Sequence, residues 1–464
     1  MPPRILVGTS EIAKYVHNLT KGFRELGFEA DSLVLPEGRN KFYPDIEYTL
    51  KAPQFLEDTT YFRKNNGSVG IRTSRAFADF VKRYDIFVFF AGTSLLPRMI
   101  DLPTLKSMGK TIISRHCGSE VRDTELARIF WKDHDNEYPL YQRDSALKKP
   151  ACASEYDIFS LSRYYASLAN KLHTIRMAER HSDMVVSGAP SQTLGIRPYF
   201  QTGPIFDLRE FSFRIPRRTV PVILHAPSSM EFKKTPLILK ALDELRNEGV
   251  AFHLELLNGV PHQEVRSKLT EADILIDQLS CGCGTLAYEG MASGCVVLGG
   301  HKDSASPLPR NRPIVHITAK SIKERLHEVI SNVRLRTRLA VDGREYINGG
   351  YGSPASVAQY MLDALARDRV GDADLYPTLF AERAFIPAGE HIPKYLRELS
   401  LTILQRHGTH PDIDLERLAN SGLLPDFSES ALAAISKWDV SRLKAEGPWV
   451  LSGPNATYGM PRHS

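Results

Sequence analysis

Between an apolar strand ending in Asp277 and a second apolar strand at Val296-Val297-Leu298, the chain reads Ser280-Cys281-Gly282-Cys283-Gly284-Thr285-Leu286-Ala287-Tyr288-Glu289-Gly290-Met291-Ala292-Ser293-Gly294. A glycine-rich turn running into a short helix offers backbone N–H groups at a helix N-terminus, where the macrodipole favours an anion. Thr285 and Glu289 are four apart and so share one helix face. Amides for phosphates, with a carboxylate one turn further on to accept from ribose hydroxyls, are what a nucleoside diphosphate requires. Standing alone, the same stretch also reads as a tight turn before a core helix, so its neighbours must decide.

The 464 residues exceed one ordinary domain and suggest two or three. A hydrophobic share of 42% with 24% charged residues is that of a soluble globular protein. No apolar run approaches the roughly 20 residues that span a bilayer. Met1 to Val7 lacks the apolar core of a signal peptide and reads as a first strand. Five cysteines do not make a disulfide framework and point to a reducing cytoplasm. The net charge of +5 suits an anionic substrate or a weak preference for a membrane surface, and falls short of a nucleic-acid footprint. No basic run interleaved with aromatics occurs, so nucleic acid is not an expected partner.

The elements that must hold such a site repeat along the chain. Ile5-Leu6-Val7 ends in Gly8-Thr9-Ser10, and Ile12, Val16, Leu19, Phe23 and Leu26 then recur at helical spacing before Gly27. With the strand Ser32 to Leu35 this forms a βαβ unit, whose right-handed crossover makes the sheet parallel and puts the Gly8 turn at its ligand-binding edge. No G-x-G-x-x-G follows, so a nicotinamide or flavin cofactor is not expected. Further strands at Asp85 to Phe90, Thr111 to Ser114 and Met184 to Val186 each lead into polar or glycine residues, as buried parallel strands with functional loops do. Residues 121–182 read as mainly helical. His116, at a strand's carboxyl end, is either a satisfied structural histidine or a cleft residue. The loop Trp131 to Asp135 matches no metal-ligand spacing.

Composition shifts near Pro204 to Leu208 and again at Arg214 to Arg218, marking a linker. Val222 to His225 then forms a strand ending in Ala226-Pro227-Ser228. Lys233 and Lys234 precede Thr235-Pro236, an N-cap with proline at N1. Strands at Phe252 to Leu257, Ile274 to Ile276, Val296 to Leu298 and Ile314 to Ile317 alternate with helices, giving a second doubly wound domain. Two such domains enclose a cleft, in which the lysines can meet phosphates held by the Gly282–Gly284 turn.

His225-Ala226-Pro227-Ser228, Lys233-Lys234-Thr235, Ala272-Asp273-Ile274-Leu275-Ile276-Asp277-Gln278-Leu279 and the Gly284 to Gly294 stretch together resemble family-4 glycosyltransferases of the GT-B fold. Gly118-Ser119-Glu120-Val121-Arg122 is similar to the G-S-D-[IV]-R segment of their acceptor-side domain. The resemblance implies that Glu289 binds ribose hydroxyls, that Gly282, Gly284 and Thr285 serve the pyrophosphate, and that Lys233 neutralises it. Gly8 and Ser228 would complete the donor site, and His116 would be the catalytic histidine. It implies retention of anomeric configuration, with no metal and no cofactor beyond the nucleotide-sugar substrate. Three positions depart from the family: Met230 replaces an arginine, Cys281 stands near the first of two paired glutamates, and Cys117 replaces the histidine before G-S-D. Cys281-Gly282-Cys283 reads as two small buried thiols rather than a metal site.

The expected organisation is α/β: a Rossmann-like acceptor-side domain over 1–205, a Rossmann-like donor domain over 206–345, a helix over 346–370 crossing back to the first domain, and a helical extension over 371–464. The expected function is retaining transfer of a sugar from a nucleoside diphosphate to a hydroxyl acceptor, lipid-linked or polysaccharide, in cell-surface glycoconjugate synthesis. The expected location is the cytoplasm, with contact at the inner face of a membrane as the further option, although no polybasic cluster flanks an apolar face. A non-catalytic GT-B partner subunit and a nucleotide-sugar epimerase of the same architecture are the alternatives.

Overall fold

The computed structural model describes residues 2–53, 60–63, 69–72, 74–118, 120–121, 168–187, 199–279, 282–300, 312–349 and 352–366. The expected extension over 371–464, the Trp131 loop, Cys281 and Arg122 lie outside the described residues.

The chain opens with β1 (Ile5–Thr9), α1 (Tyr15–Glu25) and β2 (Ala30–Val34). All five residues of β1 are buried, as a central parallel strand covered on both faces requires. An antiparallel hairpin of β3 (Thr60–Arg63) and β4 (Val69–Arg72) follows. Then come α2 (Arg75–Val81), β5 (Ile86–Phe90), α3 (Leu102–Ser107), β6 (Thr111–Arg115), α4 (Leu168–His181) and β7 (Met184–Val186). The five main strands pair in parallel in the order β2-β1-β5-β6-β7. The chain leaves β1 in one direction and resumes at β5 on its other side. That reversal opens a crevice at the carboxyl ends of β1 and β5.

The second sheet is built the same way. Its elements are β8 (Val222–His225), α5 (Thr235–Asn247), β9 (His253–Leu256), α6 (His262–Leu269), β10 (Ile274–Ile276), α7 (Thr285–Ser293), β11 (Val296–Gly299) and β12 (Ile314–His316). The order β12-β11-β10-β8-β9 is again all parallel and reverses between β8 and β10. The molecule therefore has the α/β architecture of two Rossmann-like sheets that the sequence motifs imply. One local detail differs from the sequence reading. Lys234, at φ 58°, takes the cap position of α5, and Thr235 is the first helical residue. The Thr235 hydroxyl is engaged elsewhere, as described below.

Three helices close the structure: α8 (Ile322–Ser331), α9 (Val333–Asn348) and α10 (Pro354–Ala366). The last packs on α1, where Val357, Ala358, Met361 and Ala364 join Val16, Leu19 and Phe23 in one buried cluster. A Cβ on Gly22 would lie 2.3 Å from the Pro354 carbonyl oxygen, so only glycine lets the two backbones approach this closely. The linker adds charge contacts. Glu210 accepts from Lys14 Nζ at 2.7 Å and from Arg266 of α6 at 3.0 Å, tying both domains to one carboxylate. Among the described residues, no helix is long and apolar enough to cross a membrane.

Candidate functional site

Every residue of the second-domain half lies at the carboxyl edge of β8 and β10. His225 ends β8 with its side chain fully buried. Its Nδ1 lies 2.8 Å from the Ile276 carbonyl and its Nε2 2.8 Å from the Thr235 hydroxyl. A carbonyl only accepts, so Nδ1 carries the proton and Nε2 accepts from Thr235. Burial pushes this ring down to about 4, which keeps it neutral. His225 is thus a bolt between β8, β10 and α5, and it fixes the loop that carries Lys233.

Asp277 follows β10 directly and its side chain is fully buried. One oxygen pairs with Lys233 Nζ, and the other accepts the Gly284 amide at 2.8 Å. A carboxylate in this position must be paired and hydrogen-bonded to stay charged. The lysine and the turn are therefore organised by one residue that the sequence marks only as the end of a strand. Gly282, at φ 35°, accepts from the Gln278 side-chain amide, which fixes the turn from the other side. Ser228 is exposed in the loop after β8, and Met230 is half-buried beside it.

Gly284 caps α7, and Thr285 opens it. The Thr285 hydroxyl lies 2.6 Å from the Tyr15 hydroxyl of the first domain. One turn on, Glu289 is 4% exposed, and both carboxylate oxygens lie 2.9 Å from His262 Nε2 at the start of α6. The His262 ring packs on Tyr43 of the first domain, with centroids 4.7 Å apart, and its backbone N–H donates to the Phe42 carbonyl. Burial, and then the Glu289 charge, raise the Tyr43 phenol well above its ordinary value, so it stays protonated. These contacts hold the two sheet edges together across the cleft.

The first-domain half is arranged differently. Gly8 lies within β1, where a Cβ would meet the Leu33 carbonyl at 2.3 Å, so its smallness serves strand packing. Thr9 donates to the Ser94 carbonyl at 2.9 Å. Glu11 accepts from the Val16 and His17 amides at the start of α1 and from the Tyr48 hydroxyl, and burial raises its carboxyl to about 7. Glu120 folds back onto the Cys117 and Gly118 amides.

Alternation along β6 separates two neighbours. Ile113 packs on the α1 face, whereas Ile112 packs on the α3 and α4 face. Arg115 continues the first set, with its guanidinium carbon 5.0 Å from the Tyr15 ring centroid. His116 continues the second, and its ring lies 5.9 Å from that of Tyr199. Burial and then the Arg176 charge push His116 down to about 3, and neither ring nitrogen has a hydrogen-bond partner among the described residues. The family resemblance makes His116 the expected catalytic histidine, with a structural role as the alternative. On this geometry it is a packed ring of the first domain that stays neutral near pH 7.

The structure brings Lys233, Gly284, Thr285 and Glu289 to one end of α7, and keeps Gly8 and His116 in the first domain's interior. The residues missed in sequence are the partners Asp277, His262, Tyr15 and Arg115. An acidic residue just before the glycine turn, and a histidine just after the proline that opens a helix, were the available signals. Among the described residues, no three histidine, cysteine, aspartate or glutamate side chains converge as a metal site would require.

No protein-family model matches the chain, and no curated protein does either. Among solved structures, the chain is similar to the catalytic domain of starch synthase IV from Arabidopsis thaliana, bound to ADP and acarbose. That match has 11% identity and a TM-score of 0.48, over 80% of this chain and 100% of that one. It is also similar to WaaG, a glycosyltransferase involved in lipopolysaccharide biosynthesis, at 12% identity and a TM-score of 0.41, over 78% of this chain and 99% of that one. For the calicheamicin glycosyltransferase CalG4, the identity is 13% and the TM-score 0.35, over 79% and 99% of the two chains. At such identities the likeness is one of fold.

Proposed function

We propose that the chain is a retaining glycosyltransferase that moves a sugar, a hexose in the first instance, from a nucleoside diphosphate to a hydroxyl acceptor without a metal ion. The observation that carries this reading is the grouping of Lys233 and Thr285 at the N-terminus of α7, where Asp277 pairs with the lysine and takes the Gly284 N–H, with Glu289 one turn inside. As the bond from the sugar to the diphosphate breaks and one to the acceptor oxygen forms, negative charge grows on the departing diphosphate. A helix N-terminus and a lysine beside it lower that barrier without a metal ion. An ammonium has three N–H donors and Asp277 takes one, so Lys233 can keep its partner while it meets a phosphate. Glu289 likewise retains acceptor sites beyond those facing His262, enough for ribose hydroxyls. The acceptor hydroxyl approaches from the first domain, and closure sets the reacting atoms together. The sequence resemblance points to a lipid-linked or polysaccharide acceptor handled at the cytoplasmic side of a membrane.

The test is to incubate the protein in EDTA with UDP-, ADP- and GDP-sugars and to follow release of the nucleoside diphosphate and the anomeric form of the product by NMR. Slow donor hydrolysis that is lost in Glu289→Ala is the expected result. No binding or turnover of any donor would overturn the reading. Release of a free 2-epimer would replace it with the epimerase, and an inverted product would remove the retaining mechanism.

A further inference from the structure

Arg115 is the buried charge that the proposed chemistry leaves unexplained. The residue is 7% exposed. One of its five N–H groups donates to the Gly203 carbonyl at 3.1 Å, while Nε and Nη1 have no partner among the described residues. Other arginines have more partners: Arg176 pairs with Glu179, Arg214 and Arg218 share the buried Asp273, and Arg336, whose Nε is also unpartnered among the described residues, donates to the carbonyls of Val329, Ile330 and Arg218. Arg115 makes no ion pair with a described carboxylate. Glu120, three residues beyond the end of β6, turns its carboxylate to the Cys117 and Gly118 amides instead, and Glu11 turns its own to the start of α1. A buried cation with open donors and no counter-charge is costly unless something supplies the charge.

Its surroundings indicate what that is. The guanidinium sits over Tyr15, and burial pushes that phenol up to about 12, so its hydroxyl stays protonated. The same hydroxyl touches Thr285 at the N-terminus of α7, a nine-residue helix whose first turn neighbours the Gly284 amide and Lys233. Arg115, Tyr15 and Thr285 thus form one chain of neighbours that runs from the interior of the first domain to the N-terminus of α7.

We propose that Arg115 binds an oxyanion of a substrate, so that the first domain's half of the cleft selects a phosphate-type group. Two sources share that chemistry: the diphosphate of the donor and a phosphate carried by the acceptor. The assignment of these sources rests on the glycosyltransferase reading, while oxyanion binding at Arg115 does not.

The experiment compares the full-length protein with Arg115→Met and Arg115→Gln by calorimetry and thermal melting. Inorganic pyrophosphate and inorganic phosphate are titrated first, followed by UDP, ADP and GDP. Then phosphate is titrated into protein saturated with whichever nucleotide binds. Loss of a charged hydrogen-bonding group predicts affinity reduced about tenfold or more in both variants. The melting temperature of Arg115→Met should not fall, because an uncompensated charge has been removed. Weakened nucleoside diphosphate binding assigns the anion to the donor. Unchanged nucleotide affinity, with phosphate binding to the saturated protein lost in the variants, assigns it to the acceptor. If wild type binds no nucleotide but binds pyrophosphate through Arg115, the proposed function fails and this inference stands. If neither variant changes the affinity of any oxyanion, or wild type binds none, the inference is overturned. Should Arg115→Met fail to fold, the same comparison is read from Arg115→Gln.

Discussion

On the second-domain side of the cleft, Asp277 lies between Lys233 and the Gly284 amide, and Glu289 carries His262 against both oxygens. On the first-domain side, Arg115 keeps Nε and Nη1 without partners among the described residues. The two halves are topologically alike, each a parallel sheet reversing direction at its centre. They differ in how they handle buried polarity. The paired half holds its ligand-facing groups in position and must share them to bind. The unpaired half already bears the desolvation cost, and a ligand there would relieve it.

The largest test breaks the paired half. Asp277→Asn leaves Lys233 buried without its counter-ion and should cost about 3–5 kcal/mol of stability in urea unfolding. A loss below about 1 kcal/mol would show that the pair does not organise this edge. Acidification probes the buried histidines next. His116, near 3, and His225, near 4, bind fewer protons folded than unfolded below pH 6.5. Their contribution is therefore complete above that pH and is lost as the pH falls. Between pH 6.5 and 4.5 each should remove about 2–3 kcal/mol. His116→Leu should flatten the slope, and an unchanged slope would remove His116 from the account. A smaller effect is expected at the clasp. His262→Ala leaves Glu289 without its orienting partner and should weaken nucleoside diphosphate affinity about tenfold, equivalent to about 1.4 kcal/mol. Tighter binding would mean that His262 competes with the ligand. Smallest is Tyr15→Phe, which removes only the hydroxyl bridge to Thr285 and should cost about 1 kcal/mol in thermal unfolding.

The same contrast explains what could be read in advance. Buried parallel strands are short apolar runs with polar ends, so Ile86–Phe90 and Val296–Gly299 are legible locally. The hairpin of Thr60–Arg63 and Val69–Arg72 was not, since four-residue strands show too little alternation to be recognised. Within the site, Gly284, Thr285 and Glu289 announce themselves through a helix start and a four-residue spacing. Asp277, His262 and Tyr15 do not, because each acquires its role from an element distant in sequence: Tyr15 is 270 residues from the threonine it touches. His116 and Arg115 are adjacent in sequence and pack on opposite faces of the sheet, which only the register of β6 resolves.

The close approach of α10 to α1 has a consequence for how the chain is made. The first sheet is complete once Val186 has left the ribosome, yet one face of α1 stays open until Pro354 to Ala366 follow, about 170 residues later. At about 5–20 residues per second, that is a delay of roughly ten to thirty seconds. Throughout that interval the apolar face that Val16, Leu19 and Phe23 present to α10 has no permanent cover. The packing of α1 is thus finished only after the second domain has been synthesised.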